Sequence, residues 1–218
     1  IFYTNGYDYW IWDDVNYAPR RVHGFYTRDE LQLMINRRDT RQDLSGMKIS
    51  DKIAGRYYQE EAIKRVTESL MNKKRQALLV MATGSGKTRT AAAIVDILAR
   101  ANWVKNVLFL ADRNALVTQA KNAFKEHVPY LNGIDLTREK EDSLTRLVFS
   151  TYPTIMNKID GEKTDDFRFY GPGHFDLIII DEAHRSVYQK YKAIFDYFDA
   201  MLLGLTATPK AEVDKNTY

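Results

Sequence analysis

The segment ALLVMATGSGKTRT, residues 77–90, limits what this chain can fold into more than any other. An apolar run long enough for one buried strand ends in Gly84, Ser85 and Gly86, then Lys87 and Thr88, then residues that favour a helix. Glycines at this spacing let successive backbone N–H groups turn toward one point at a helix N-terminus, which makes a cradle for phosphate. In such a loop Lys87 supplies a point charge for the outer phosphates, and the Thr88 hydroxyl a ligand for Mg²⁺. Met81 stands where the general pattern has its first glycine, so only the second half of the loop is glycine-rich.

Nearly a hundred residues later, DLIIIDEAH carries an apolar strand into Asp181, Glu182 and His184. Parallel α/β sheets bind their ligands at the carboxyl ends of the strands, where these acids stand. Asp181 is placed to hold Mg²⁺, and Glu182 to orient and deprotonate an attacking water. An acidic pair alone is commonly a solvated turn; the apolar run before it and the phosphate loop upstream favour the catalytic reading. His184 lacks a second histidine nearby for a metal site and reads as a hydrogen-bonding relay toward the γ-phosphate. Gln59, in RYYQ, can donate to and accept from an adenine edge, although a surface glutamine at a helix start is the commoner case. The run LLGLTATP ends in Thr206, Ala207 and Thr208 before Pro209 stops it.

Residues 75–209 alternate short apolar runs with helix-period segments, which predicts an α/β fold with a parallel sheet covered by helices on both faces. The expected strands are Ala77 to Met81, Val107 to Leu110, Leu147 to Phe149, Leu177 to Ile180 and Met201 to Leu205, with a helix from Gln59 to Met71 leading in. Asp160 to Gly173, rich in glycine and charge, is expected to be a mobile surface loop. The aromatic, alternating start from Ile1 to Trp12 predicts an edge strand or hairpin whose packing partners lie outside the chain.

Composition narrows the setting. The chain has no cysteine, so disulfides and thiolate metal sites are excluded and a reducing, cytoplasmic location is expected. No apolar run approaches the length needed to cross a bilayer. From Arg20 to Arg75 there are 14 Lys or Arg against 8 Asp or Glu, a local excess of +6 that suits a phosphate backbone and equally a solvated basic face.

Taken in order, RYYQ, MATGSGKT, FLADRNALVTQA, FSTY, DEAH and LTATP resemble the first RecA-like lobe of superfamily 2 helicases and translocases. The wording of MATGSGKTRT, LFLADRNALVTQA and DEAHRS is similar to the R (motor) subunit of type I restriction enzymes. The TNGYDYWIWDD and PRRVHGFYTRDEL segments resemble that family's link between nuclease and motor. The resemblance implies that residues 1–50 are the end of an upstream nuclease-type domain with its linker, and residues 51–218 the first RecA-like lobe. It implies a DNA-dependent ATPase that translocates on double-stranded DNA beside modification and specificity subunits, with ATP and Mg²⁺ as cofactors and no membrane.

By the same resemblance, Gln59 recognises adenine, while Gly84, Ser85, Gly86, Lys87 and Thr88 hold phosphate and Mg²⁺. Asp181 and Glu182 serve metal and water, and His184, Thr206 and Thr208 couple hydrolysis to motion. Arg113, Asn114, Ser150, Thr151 and Tyr152 would face the DNA backbone, where a helix cap is the plainer account of each. The nuclease acids and the second lobe with its arginine finger are not in the sequence, so a fragment is expected. Two other readings are a strand-separating helicase lobe from repair or RNA metabolism, and a nucleotide-gated module without turnover. The second has no need of Glu182.

Overall fold

A computed structural model describes residues 1–160, 170–183 and 185–207. Nine strands form two sheets. The small one is antiparallel, in the order β1 (Phe2–Thr4), β2 (Tyr9–Asp13), β3 (Tyr17–Val22). Helix α1 (Arg28–Thr40) follows, opened by a capping box in which the Thr27 hydroxyl accepts from the Glu30 amide and the Glu30 carboxylate accepts from the Thr27 amide.

The large sheet is parallel throughout and has the order β4-β9-β8-β5-β7-β6. Its strands are β4 (Gln76–Val80), β5 (Val107–Ala111), β6 (Gly133–Asp135), β7 (Leu147–Thr151), β8 (Leu177–Ile180) and β9 (Met201–Thr206). Around it run α2 (Tyr57–Met71), α3 (Lys87–Arg100), α4 (Asn114–His127), α5 (Tyr152–Asp160), α6 (Arg185–Lys190) and α7 (Lys192–Tyr197).

The unbroken apolar runs of the central strands follow from helices on both faces. In β8, Leu177 and Ile179 join the core shared with α2, α3 and α4, while Ile178 and Ile180 join the core shared with α5 and α7. β5 and β7 divide the same way, with Phe109 and Phe149 on the first face and Leu108, Leu110 and Val148 on the second. A strand buried on both sides has no use for alternation, which is why these segments read as continuous hydrophobic stretches.

The five expected strands are present, several of them a residue longer or shorter than the apolar run. Two features differ from expectation. β6 is a sixth strand, only three residues long, held by parallel pairing of Gly133–Asp135 with Leu147–Phe149. The N-terminal hairpin, expected to pack on something beyond the chain, instead docks on this one. Arg20 of β3 forms a two-point ion pair with Asp199 at 2.7 and 2.6 Å, and Arg37 of α1 does the same with Asp176 at 2.5 and 2.8 Å. Most of the expected loop from Asp160 to Gly173 lies outside the described residues; at its far end Tyr170 is buried.

Candidate nucleotide-binding site

The strand order brings the separated motifs together. β9 lies between β4 and β8, so the glycine loop after β4 and the acidic turn after β8 flank the end of one strand. β9 fastens both through its main chain: the Met81 N–H donates to the Thr206 carbonyl at 3.0 Å, and the Ala183 N–H to the Leu205 carbonyl at 2.8 Å. Thr206 is thus placed between the two functional turns, with its residue buried.

Gly84 and Gly86 have φ of +77° and +93°, values that L side chains seldom adopt, and they turn the loop into the first turn of α3. The opening N–H groups of a helix have no partner within it, so at Lys87 and Thr88 they are available to a phosphate. At Gly86 a Cβ would lie 2.6 Å from the Gln59 side-chain amide nitrogen, so the backbone conformation favours glycine there and any larger residue would also displace the end of Gln59. Gln59 is 3% exposed and donates to the Ser85 carbonyl at 3.1 Å, shared with the Tyr58 hydroxyl at the same distance. The Arg56 guanidinium donates to that hydroxyl at 2.7 Å. In this structure, therefore, Gln59 supports the loop directly. Tyr58 was not legible as a contributor, since a tyrosine beside another tyrosine at a helix start carries no periodic signal.

Lys87 reaches back over the loop. Its ammonium lies 3.4 Å from the Met81 carbonyl and 3.9 Å from a Glu182 carboxylate oxygen. Glu182 itself has φ of +51°, a left-handed conformation uncommon for a non-glycine residue, which turns its side chain away from the strand direction. Such backbone recurs at functional turns. The Asp181 carboxyl is pushed above the usual carboxylate range, first by burial and then by the neighbouring Glu182 charge, while the Glu182 N–H bond and Lys87 pull it partly back. From below, the buried Tyr152 hydroxyl donates to the Asp181 carbonyl at 3.2 Å.

These donors suit a hard divalent cation. Mg²⁺ takes one or two protein oxygens and fills its remaining positions with water and substrate phosphates; Thr88 at the start of α3 and Asp181 at the end of β8 offer that set. His184 and Thr208 lie outside the described residues.

The residues expected to face DNA divide in two. Asp112, Arg113 and Asn114 are exposed where β5 gives way to α4, the Arg113 side chain at 81%. Ser150, Thr151 and Tyr152 are buried instead. The Ser150 hydroxyl donates to the Thr151 carbonyl at 3.3 Å and the Thr151 hydroxyl pairs with that of Thr154 at 2.9 Å. As placed, these three side chains brace the end of β7 and the acidic turn. They are polar because strand ends need local hydrogen-bond partners, the same composition a DNA contact would have.

A protein-family model described as "Type III restriction enzyme, res subunit" matches residues 52–211. The endonuclease subunit of the type I restriction enzyme EcoAI from Escherichia coli is 40% identical over 171 residues, covering 75% of this chain and 20% of that protein. The EcoKI endonuclease subunit from Escherichia coli strain K12 is 32% identical over 181 residues, covering 71% of this chain and 15% of that one. Among solved structures, a fragment described as an HsdR subunit of a type I restriction enzyme from Vibrio vulnificus YJ016 aligns with a TM-score of 0.57 at 28% identity, over 100% of this chain and 39% of that one. The chain thus spans a fifth or less of the length of these two relatives.

Proposed function

The chain belongs to the family of helicase-like res (R) subunits of restriction enzymes, and on that premise we propose that it is the ATP-binding lobe of a double-stranded DNA translocase working in a type I restriction–modification complex. The observation that carries this reading is the meeting of Lys87 and Glu182, 3.9 Å apart at the carboxyl ends of β4 and β8. A phosphate-binding cation and an acid at that distance suit a substrate that has both a charged phosphate chain and a water to be activated.

On this reading the chain's own groups divide the work. The Gly84, Ser85 and Gly86 backbone and the N-terminus of α3 bind the phosphate chain, and Lys87 leaves the Met81 carbonyl to meet the outer phosphates. Gln59, tied to the loop at Ser85, recognises the adenine edge on this reading. Thr88 and Asp181 would hold Mg²⁺, which when bound neutralises charge on the phosphates. Binding there requires an ionised Asp181, so a cation displaces any proton that its raised affinity retains. Glu182 orients the water and accepts its proton.

Thr206, held between the two turns, stands where a change at the phosphates reaches β9, and the resemblance adds His184 and Thr208 to that role. Arg113 and Asn114, exposed at the start of α4, are the side chains suited to a DNA backbone. The partners on this reading are double-stranded DNA and the modification and specificity subunits. No described helix is long and apolar enough to cross a membrane.

Two substitutions test the assignment by separating binding from turnover. Titration calorimetry with Mg·ATP should show Lys87→Ala weakening affinity by ~10- to 100-fold, the range of one charge-assisted contact. In the intact motor, Glu182→Gln should leave affinity within a few-fold while hydrolysis falls by roughly 10²-fold or more. Unchanged affinity in Lys87→Ala would remove the phosphate cradle. Joint loss of affinity and turnover in Glu182→Gln would give that carboxylate a metal or folding role instead.

A further inference from the structure

At the opposite end of the sheet from the glycine loop, a cavity of about 80 Å³ lies between the N-terminal module and the amino-terminal ends of β8 and β9. Five arginines line it: Arg20 from β3, Arg37 and Arg38 from α1, Arg41 just beyond, and Arg75 before β4. The carboxylates on its wall are Asp13, Asp176 and Asp199. Arg38 pairs with Asp14 outside the cavity. Adding Asp14 to the count still gives five positive charges against four negative, so one cation is left over.

Arg41 is the lining arginine that makes no ion pair among the described residues. Among the described residues Arg20 and Arg75 pair with Asp199, Arg37 with Asp176 and Arg38 with Asp14, while Arg41 has no carboxylate within 4.0 Å. Its guanidinium lies 4.3 Å over the Trp103 ring and makes one long contact, 3.4 Å, to the Asn16 side-chain oxygen. Burial, and with it the nearby charge of Arg37, lowers its proton affinity below the usual arginine value, while Tyr17 and the charge of Asp13 offset part of that lowering. The net effect is that of a cation held out of water beside a like charge.

The hydrogen-bond donors give the same answer independently. Among the described residues, the buried side-chain nitrogens without a partner are Arg20 Nη1, Arg37 Nε and Arg41 Nε, and all three residues line this one cavity. Arg37 is 6% exposed. An unpaired buried donor costs about 1–3 kcal/mol, more when charged, so three in one place, beside an uncompensated charge, are a strong demand for an anionic acceptor. Forked guanidinium groups match tetrahedral oxyanions in two-point geometry. The volume admits roughly five water-sized bodies, enough for one such ion and too little for a nucleotide or a strand of DNA.

We propose that this cavity is a binding site for one small tetrahedral oxyanion of the phosphate class, held by Arg41 with Arg20 and Arg37, which fastens the N-terminal module to the lobe. The site is independent of the nucleotide reading, since its residues lie at the other end of the strands.

The test is made on the Lys87→Ala chain, so that phosphate binding at the glycine loop is suppressed. Calorimetric titration with inorganic phosphate should show saturable binding at one site per chain. Thermal unfolding should show a rise of about 2–4 °C at about five times the dissociation constant, measured against chloride at matched ionic strength. Arg41→Met should abolish both effects, and acetate in place of phosphate should give neither. Phosphate also stabilises proteins by exclusion from their surface; an equal rise in Arg41→Met would therefore overturn the proposal. If Arg41→Met does not fold, the titration of Lys87→Ala decides alone. Absence of saturable heat there means that water fills the cavity, and the proposal fails.

Discussion

The two ends of the large sheet are built on opposite terms. At the amino-terminal ends of β8 and β9, Asp176 and Asp199 are saturated. Asp176 accepts from Arg37 twice and from the N–H groups of Lys105 and Asn106 at 2.7 and 3.0 Å, while Asp199 accepts from Arg20, Arg75 and the Tyr26 hydroxyl. At the carboxyl ends, Asp181 is desolvated with no ion pair within 4.0 Å among the described residues, Glu182 is bent into the left-handed region, and Lys87 is 3.9 Å from its acid. One end uses carboxylates to hold the chain together. The other keeps them available at some cost to stability. Charge of the same kind in the same sheet thus serves assembly or chemistry according to how completely it is paired.

The sharpest way to break this contrast is to remove one carboxylate at each end. Asp199→Asn should destabilise the chain by about 3–5 kcal/mol in denaturant titration, because Arg20 and Arg75 are left buried against a neutral group. Burial alone would raise the Asp199 carboxyl; the Arg20 hydrogen bond and the Arg75 and Arg20 charges outweigh it and hold it below the usual value of 3.8. Its stabilising contribution is therefore complete above that value and is lost as pH falls through the lower folded one. Wild type should lose stability below pH 3.8 more steeply than Asp199→Asn, and parallel acid limbs would show that the pair stabilises nothing.

A substitution of intermediate effect is Gly86→Ala. The new Cβ meets Gln59 Nε2 at 2.6 Å in a backbone conformation that alanine resists, so a cost of about 1–2 kcal/mol is expected. Adding Gln59→Ala should recover the steric part and leave the conformational part. A double-mutant cycle with no coupling would mean that the two side chains do not touch.

The smallest effect belongs to Asp181→Asn, which should be neutral or stabilising by up to about 1 kcal/mol while removing Mg²⁺-dependent nucleotide binding. Equal destabilisation by Asp181→Asn and Asp199→Asn would erase the distinction between the ends.

How far each end could be read from sequence follows from the same physics. The glycine loop and the acidic turn are contiguous motifs on apolar strands, so ALLVMATGSGKT and DLIIIDEAH disclosed β4, β8 and the residues after them. β6 was invisible because Gly133, Ile134 and Asp135 are a strand only through their pairing with β7, and three residues carry no period. The docking of the N-terminal module was invisible for a related reason. Arg20 and Asp199 are 179 residues apart, Arg37 and Asp176 139 apart, and nothing local marks a charged residue as someone's distant partner. The only trace was a lone aspartate just before each apolar strand, in FDLIII and DAMLL. The burial of Ser150 and Tyr152 was not legible for the converse reason, since polar groups at strand ends look alike whether they meet a ligand or the protein's own backbone.

The position of β9 has a consequence for how its part in the machine can be found. Its links to both functional turns run from the N–H groups of Met81 and Ala183 to carbonyls of Thr206 and Leu205. Nothing in those links depends on what side chain any of the four residues carries. A scan that replaces side chains one at a time would pass over them and report the strand as inert packing. The yoke becomes visible only to changes that delete an amide proton, such as proline or an ester bond at 81 or 183. If the loop and the acidic turn do move together, the information travels through backbone groups that every residue but proline supplies alike.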